Sequence, residues 1–100
     1  MQAVANDGLV DLTALGRLIR GHRHLMGFES GEALCDKMAN ELDVHITSRS
    51  LYEYERGGRT PTYPTMVGLE LMLEITPEEL AQTIEDDVHR RRFMRLHHLL

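Results

Sequence analysis

The sequence has no tryptophan, two phenylalanines and three tyrosines in 100 residues, so its core must be built from Leu, Ile, Val, Met and Ala. That palette favours helices over a sheet, which draws on β-branched and aromatic side chains. It has a single cysteine, Cys35, which excludes an intramolecular disulfide and the zinc patterns built on cysteine pairs. It has no run of 18 apolar residues, so neither a membrane-spanning helix nor a membrane partner is expected. Residues 1 to 10 lack the basic start and apolar stretch of a signal peptide, and with the lone cysteine this points to the cytoplasm. Apolar residues at 42% and charged residues at 27% are ordinary for a globular chain and too apolar for disorder. One hundred residues suit one domain with one core.

A basic excess is also missing. The formal charge is −5, which by itself argues against a phosphate-rich partner. The distribution changes that reading. Between Leu12 and Tyr63 the basic residues Arg17, Arg20, Arg23, Lys37, Arg49, Arg56 and Arg59 balance Glu29, Glu32, Asp36, Glu41, Asp43, Glu53 and Glu55. The acidic excess lies in the flanks.

What is there is helical periodicity in five blocks, giving an all-α fold. Residues 1 to 10 show none and read as an N-terminal arm. Leu12, Leu15, Leu18, Ile19, His22, Leu25 and Met26 recur at three- and four-residue spacing, with Asp11 as cap and Gly27 as stop. Ser30 caps a second helix with Ala33, Leu34, Met38 and Leu42 on one face, ending near Glu41 or Leu42. Asp43 to Ile46 is a connector, and Thr47 caps a short third helix, Ser48 to Arg56, with Leu51 and Tyr54 inward and Gly57-Gly58 closing it. Arg59 to Pro64 is a turn in which Pro64 can enter a helix first turn. A fourth helix follows on Met66, Val67, Leu69, Met72 and Leu73, with Gly68 as its weak point. Thr76-Pro77-Glu78-Glu79 opens a fifth with cap, first-turn proline and capping-box glutamate. Its acids gather at the start and Arg90, Arg91, Arg92 and Arg95 at the end, matching the helix dipole, and it can run almost to Leu100.

No catalytic constellation is visible. There is no Ser/His/Asp arrangement in a suitable context and no phosphate-binding glycine loop, so an enzyme, a cofactor and a small-molecule substrate are not expected. Cys35 and the histidines His22, His24, His45, His89, His97 and His98 invite a metal-sensor reading. None forms a ligand set at helical spacing with a carboxylate, so no metal is expected and the histidines read as surface residues. Arg90 to Arg92 fits a second DNA contact, an interaction tail or a solvated helix end, and the last is the favoured reading.

The order of helices, together with Leu15-Gly16-Arg17-Leu18-Ile19-Arg20 and Arg23, Ser30 to Leu34, Tyr54-Glu55-Arg56-Gly57 and Arg59-Thr60-Pro61-Thr62, resembles the lambda-repressor/Cro (XRE-like) type of helix-turn-helix domain. The resemblance covers roughly residues 15 to 75. It implies a five-helix lambda-repressor-like fold, with the helix-turn-helix DNA-binding domain over 11–75 and 76–100 an extended C-terminal helix serving dimerisation, and double-stranded DNA as the partner. The third helix would enter the major groove with Ser48, Arg49, Ser50, Tyr52 and Glu53 as base readers: Arg49 suits guanine, and Glu53 can accept from cytosine or hold Arg49. Ser30, Gly31, Thr47, Arg56, Arg59 and Thr60 would contact the backbone. The resemblance also implies an internal ion pair between Arg23 and Glu55.

Three departures stand beside it: a longer connector over Ala39 to Ile46, Gly31 where a contacting glutamine is common, and the acidic total. The apolar residues Leu80, Ile84, Val88, Phe93, Leu96, Leu99 and Leu100 exceed what a small domain covers, which points to a homodimer through the last helix. The expected function is a sequence-specific transcriptional regulator of phage or bacterial origin, associated with the nucleoid. The rival is a protein-interaction module on the same fold, antitoxin-like or a phage protein that binds a host factor.

Overall fold

In a computed structural model, which describes residues 12 to 98, the chain folds into five helices, and there is no strand among the described residues: α1 Thr13–Leu25, α2 Gly31–Leu42, α3 Ser48–Glu55, α4 Tyr63–Leu73 and α5 Pro77–Leu96. Residues 1–11, and with them the arm and the Asp11 cap, lie outside the described residues, as do Leu99 and Leu100.

Four helices begin where a hydroxyl can take an orphan amide. Ser30, Thr47, Thr62 and Thr76 accept from Ala33, Ser50, Thr65 and Glu79 respectively. The Glu79 carboxylate does not close a reciprocal box with Thr76; it reaches His22 Nε2 at 3.4 Å. The fifth helix start is different. At α1 the N-cap position is Leu12, which offers no side-chain bond; instead the carboxylate of Asp87, on α5, accepts the amides of Ala14 and Leu15, each at 3.0 Å. α1 ends as Gly27 predicts. Gly27 at φ 88° lets Phe28 N–H bond Arg23 O at 2.9 Å and Gly27 N–H bond His24 O at 3.0 Å, satisfying two terminal carbonyls.

The core is Leu12, Leu15, Ile19, Leu34, Cys35, Met38, Leu51, Tyr54, Leu69, Leu73, Ile75 and Leu80. Each fully buried aliphatic side chain contributes about 1.5–3 kcal/mol of transfer free energy. On α2 the inward residues are Leu34, Cys35 and Met38, while Ala33 is exposed, because the face is turned by one position. Leu25, at the expected apolar spacing, is 78% exposed; it lies in the last turn of α1, beyond the reach of its neighbours.

Two glycines set how closely helices approach. A Cβ on Gly16 would sit 2.3 Å from the Glu55 carbonyl oxygen, so α1 lies directly on the end of α3. Gly68 is no weak point in α4: a Cβ there would stand 2.9 Å from Met38 Cε and 3.5 Å from the Val44 methyls. Its missing side chain lets α4 close on α2 and the connector.

α5 departs most from expectation. Its inward stripe runs Leu80, Ile84 and Asp87, with Val88 46% exposed, because the helix turns its carboxylate, not the valine, toward the start of α1. It ends at Leu96 with His97 as cap. The surplus apolar residues Phe93 and Leu96 are exposed on it. His22 likewise is not a surface residue. It is half-buried, and its Nδ1 donates to Leu73 O at 3.0 Å, since a carbonyl only accepts. With Glu79 on its other nitrogen it ties α1 to α4 and α5.

Candidate nucleic-acid interface

The connector between α2 and α3 covers 43–47. Asp43 turns it in the left-handed region at φ 55°, and Val44 and Ile46 are partly buried against the core. The added length is thereby anchored by apolar contacts. α3 begins at Thr47, whose Oγ1 accepts the Ser50 amide at 3.0 Å and donates to Ser50 Oγ at 3.1 Å. Leu51 and Tyr54 are buried beneath the helix. Tyr54 rather than Tyr52 is the core tyrosine, as the helical spacing predicts. Arg56 is the C-cap residue and not part of the helix proper, and Gly57 follows at φ 76°.

Arg23 and Glu55 lock the far end of α3 to α1. Arg23 Nε donates to Glu55 Oε2 at 2.7 Å and Nη2 to Oε1 at 3.1 Å. Nη1 donates to the carbonyls of Phe28 and Glu29 at 2.9 and 3.0 Å. Both partners are almost wholly buried, at 4% and 5% exposure. The hydrogen bond to Glu55 holds the guanidinium above the ordinary arginine range, against the opposing effect of burial. Removing one partner of such a pair leaves an uncompensated buried charge, typically at a cost of about 3–5 kcal/mol.

The candidate base readers divide into two groups. The side chains of Ser48 and Arg49 make no hydrogen bond or ion pair among the described residues, and Arg49 is exposed. Ser50, Tyr52 and Glu53 are engaged within the chain. Arg59 Nη1 donates to Ser50 Oγ at 3.0 Å and to Glu53 Oε1 at 3.3 Å; Glu53 therefore holds Arg59, not Arg49. Tyr52 leans away from the front of α3 toward α2. Its hydroxyl accepts the Gly31 amide at 2.8 Å and faces Glu32 Oε1 at 3.4 Å, and a Cβ on Gly31 would meet its ring at 2.8 Å.

The candidate backbone contacts divide in the same way. Ser30 is exposed, but its hydroxyl accepts the Ala33 amide at 3.2 Å. The Gly31 amide is taken by Tyr52, and Thr47 is engaged with Ser50. Arg56 and Thr60 are exposed, with no side-chain bond among the described residues, and Arg59 is exposed although it braces α3.

Beside the Arg23–Glu55 pair opens a cleft of about 240 Å³, lined by Arg20, Arg23, Tyr52, Glu55 and Arg56. Arg20 was not among the sequence candidates. The signal was present: it stands three residues before Arg23 and so shares its face of α1. Asp87 was also missed, although its 80, 84, 87 spacing places it on the inner stripe of α5.

Neither a family model, nor a curated protein, nor a solved structure matches this chain. No group of three or more His, Cys, Asp or Glu side chains is placed to hold a metal ion among the described residues. Nor is any described helix long and apolar enough to cross a membrane.

Proposed function

We propose that the chain is a sequence-specific DNA-binding regulator of the lambda-repressor/Cro helix-turn-helix type, cytoplasmic and bound to the nucleoid, with α3 entering the major groove and α2 bracing it. The observation that carries this reading is the disposition of α3. Leu51, Tyr54 and the Arg23–Glu55 pair anchor its rear and inner side, while the side chains of Ser48 and Arg49 at its front have no partner among the described residues. Arg49 then reads a guanine edge and Ser48 a neighbouring base or phosphate. Arg56, Arg59 and Thr60 supply contacts that set register.

The same reading takes the protein to DNA as a homodimer through α5, on half-sites about 34 Å apart. Exposed Val88, Phe93 and Leu96 support that contact. Selection of bound duplexes from a random pool tests the function. It should enrich a two-fold related motif, and a pool that stays unenriched at moderate salt would reject the proposal.

A second reading, a protein-interaction module on the same fold, is favoured by one observation. α4 carries two exposed large apolar side chains, Tyr63 and Leu71, at 79% and 59% exposure. That reading predicts saturable binding to a protein and no preference among duplexes.

A further inference from the structure

The cleft between α1 and α3 carries an inference that rests on the DNA-binding reading and extends it. Its five lining residues include three arginines and one carboxylate. Both oxygens of that carboxylate, Glu55, accept from Arg23, so Glu55 and Arg23 neutralise each other. Arg20 and Arg56 are exposed, and their side chains make no hydrogen bond or ion pair among the described residues. In a chain with a formal charge of −5, two cations thus share one concavity with no counter-charge left to meet them.

The floor of the cleft is rigid. Arg23 uses four of its five N–H donors on Glu55, Phe28 and Glu29, and its guanidinium lies 5.8 Å from the Tyr52 ring centroid. The size also discriminates. About 240 Å³ is below the roughly 300–1,000 Å³ of drug-sized ligand sites, but it is several times the ~30 Å³ share of one water. A phosphodiester group with its waters fits. Tyr52 sits between this cleft, which its ring lines, and the start of α2, where its hydroxyl holds the Gly31 amide.

We propose that this cleft is an oxyanion site that takes a backbone phosphate of duplex DNA between Arg20 and Arg56, making Arg20 a DNA-contacting residue. Guanidinium forks suit phosphate oxygens bidentately, and each phosphate neutralised releases counterions.

The test uses the full chain in two arms. In the first, wild type and Arg20→Gln are titrated with duplex DNA across a salt series. The variant should bind all sequences more weakly and lower the salt slope by about one. In the second, inorganic phosphate is titrated while the side-chain Nε–H resonances of Arg20 and Arg56 are followed; these should shift together, and Arg20→Gln should abolish the Arg56 shift. Thermal unfolding of Arg20→Gln should match wild type, since the replaced side chain is exposed. An unchanged salt slope with no phosphate response overturns the site. Phosphate binding with an unchanged slope overturns the backbone assignment and makes a free anion the ligand. Phosphate binding by a chain that binds no duplex supports the oxyanion site while the DNA-binding reading itself fails.

Discussion

Asp87 closes the start of α1 at Leu15, seventy-two residues away in sequence, with a fully buried carboxylate that accepts the Leu15 amide at 3.0 Å. The same group accepts from Ala14 at 3.0 Å and from Arg90 Nη2 at 2.6 Å. It does for α1 what Ser30, Thr47, Thr62 and Thr76 do for the helices that follow them, but from another part of the fold. α5 is thereby joined to the helix that carries Arg23, and through Arg23 to α3.

Asp87→Ala should therefore destabilise the protein by about 2–4 kcal/mol, because it orphans one buried and one part-buried amide and removes a charge-assisted bond. Urea unfolding measures this. Asp87→Asn should recover only part of the loss, since its NH2 group faces donors. A midpoint unchanged in Asp87→Ala would mean that the α1 amides find another acceptor.

Two glycines of α1 should respond in opposite directions to alanine. Gly16→Ala places a methyl 2.3 Å from the Glu55 backbone oxygen and should cost about 1–3 kcal/mol or more as α1 and α3 separate. Gly21→Ala meets nothing within 4 Å and should stabilise the helix by about 0.5–1 kcal/mol. Melting temperatures decide both, and a Gly16→Ala protein as stable as wild type would refute the close approach.

Arg49 and Arg59 should fail differently. Arg49→Ala should cost on the order of 1–3 kcal/mol at a single base-pair position and relax preference there. Arg59→Ala should weaken binding to every sequence and flatten the salt dependence; it also frees Glu53 and Ser50, which Arg59 holds. Affinities for a panel of point-substituted sites separate the two. A uniform loss in both variants would remove Arg49 from the base-reading set.

Burial, helped by the charges of Glu32, Asp36 and Glu55, pushes the Cys35 thiol above its ordinary 9.0. The thiol should react slowly with disulfide reagents at neutral pH. The linkage has a definite sign: above pH 9.0 the unfolded chain releases this proton while the native one keeps it, so the stability share is whole below 9.0 and is lost as pH rises through the raised folded value. Urea midpoints from pH 8 to pH 10 should fall more steeply for wild type than for Cys35→Ala. Parallel curves would refute the raised value.

The helices were legible because their signals are local. The cap hydroxyls, the glycine at φ 88° after α1 and the proline in the first turn of α5 act through bonds within a few residues. Spacing alone also distinguished Tyr54 from Tyr52 as the core residue. The site was less legible. Arg49 could be placed at the front of α3 from its position after Thr47, but the engagement of Ser50, Glu53 and Tyr52 involves Arg59 and Gly31, partners that periodicity does not pair. Gly68 looked like a defect in α4 because what fills its space, Met38 and Val44, belongs to other elements.

By itself the sequence determined the five helices seen among the described residues, where most of them begin, and much of the apolar interior, since backbone capping and 3.6-residue periodicity are written in neighbouring residues. Only the tertiary structure decided that Asp87 and not Val88 turns inward on α5, that His22 ties three helices together, and that Arg20 and Arg56 meet across one cleft. Those outcomes depend on donors and acceptors brought together from distant segments, and their pairing energy exists only once the helices have packed.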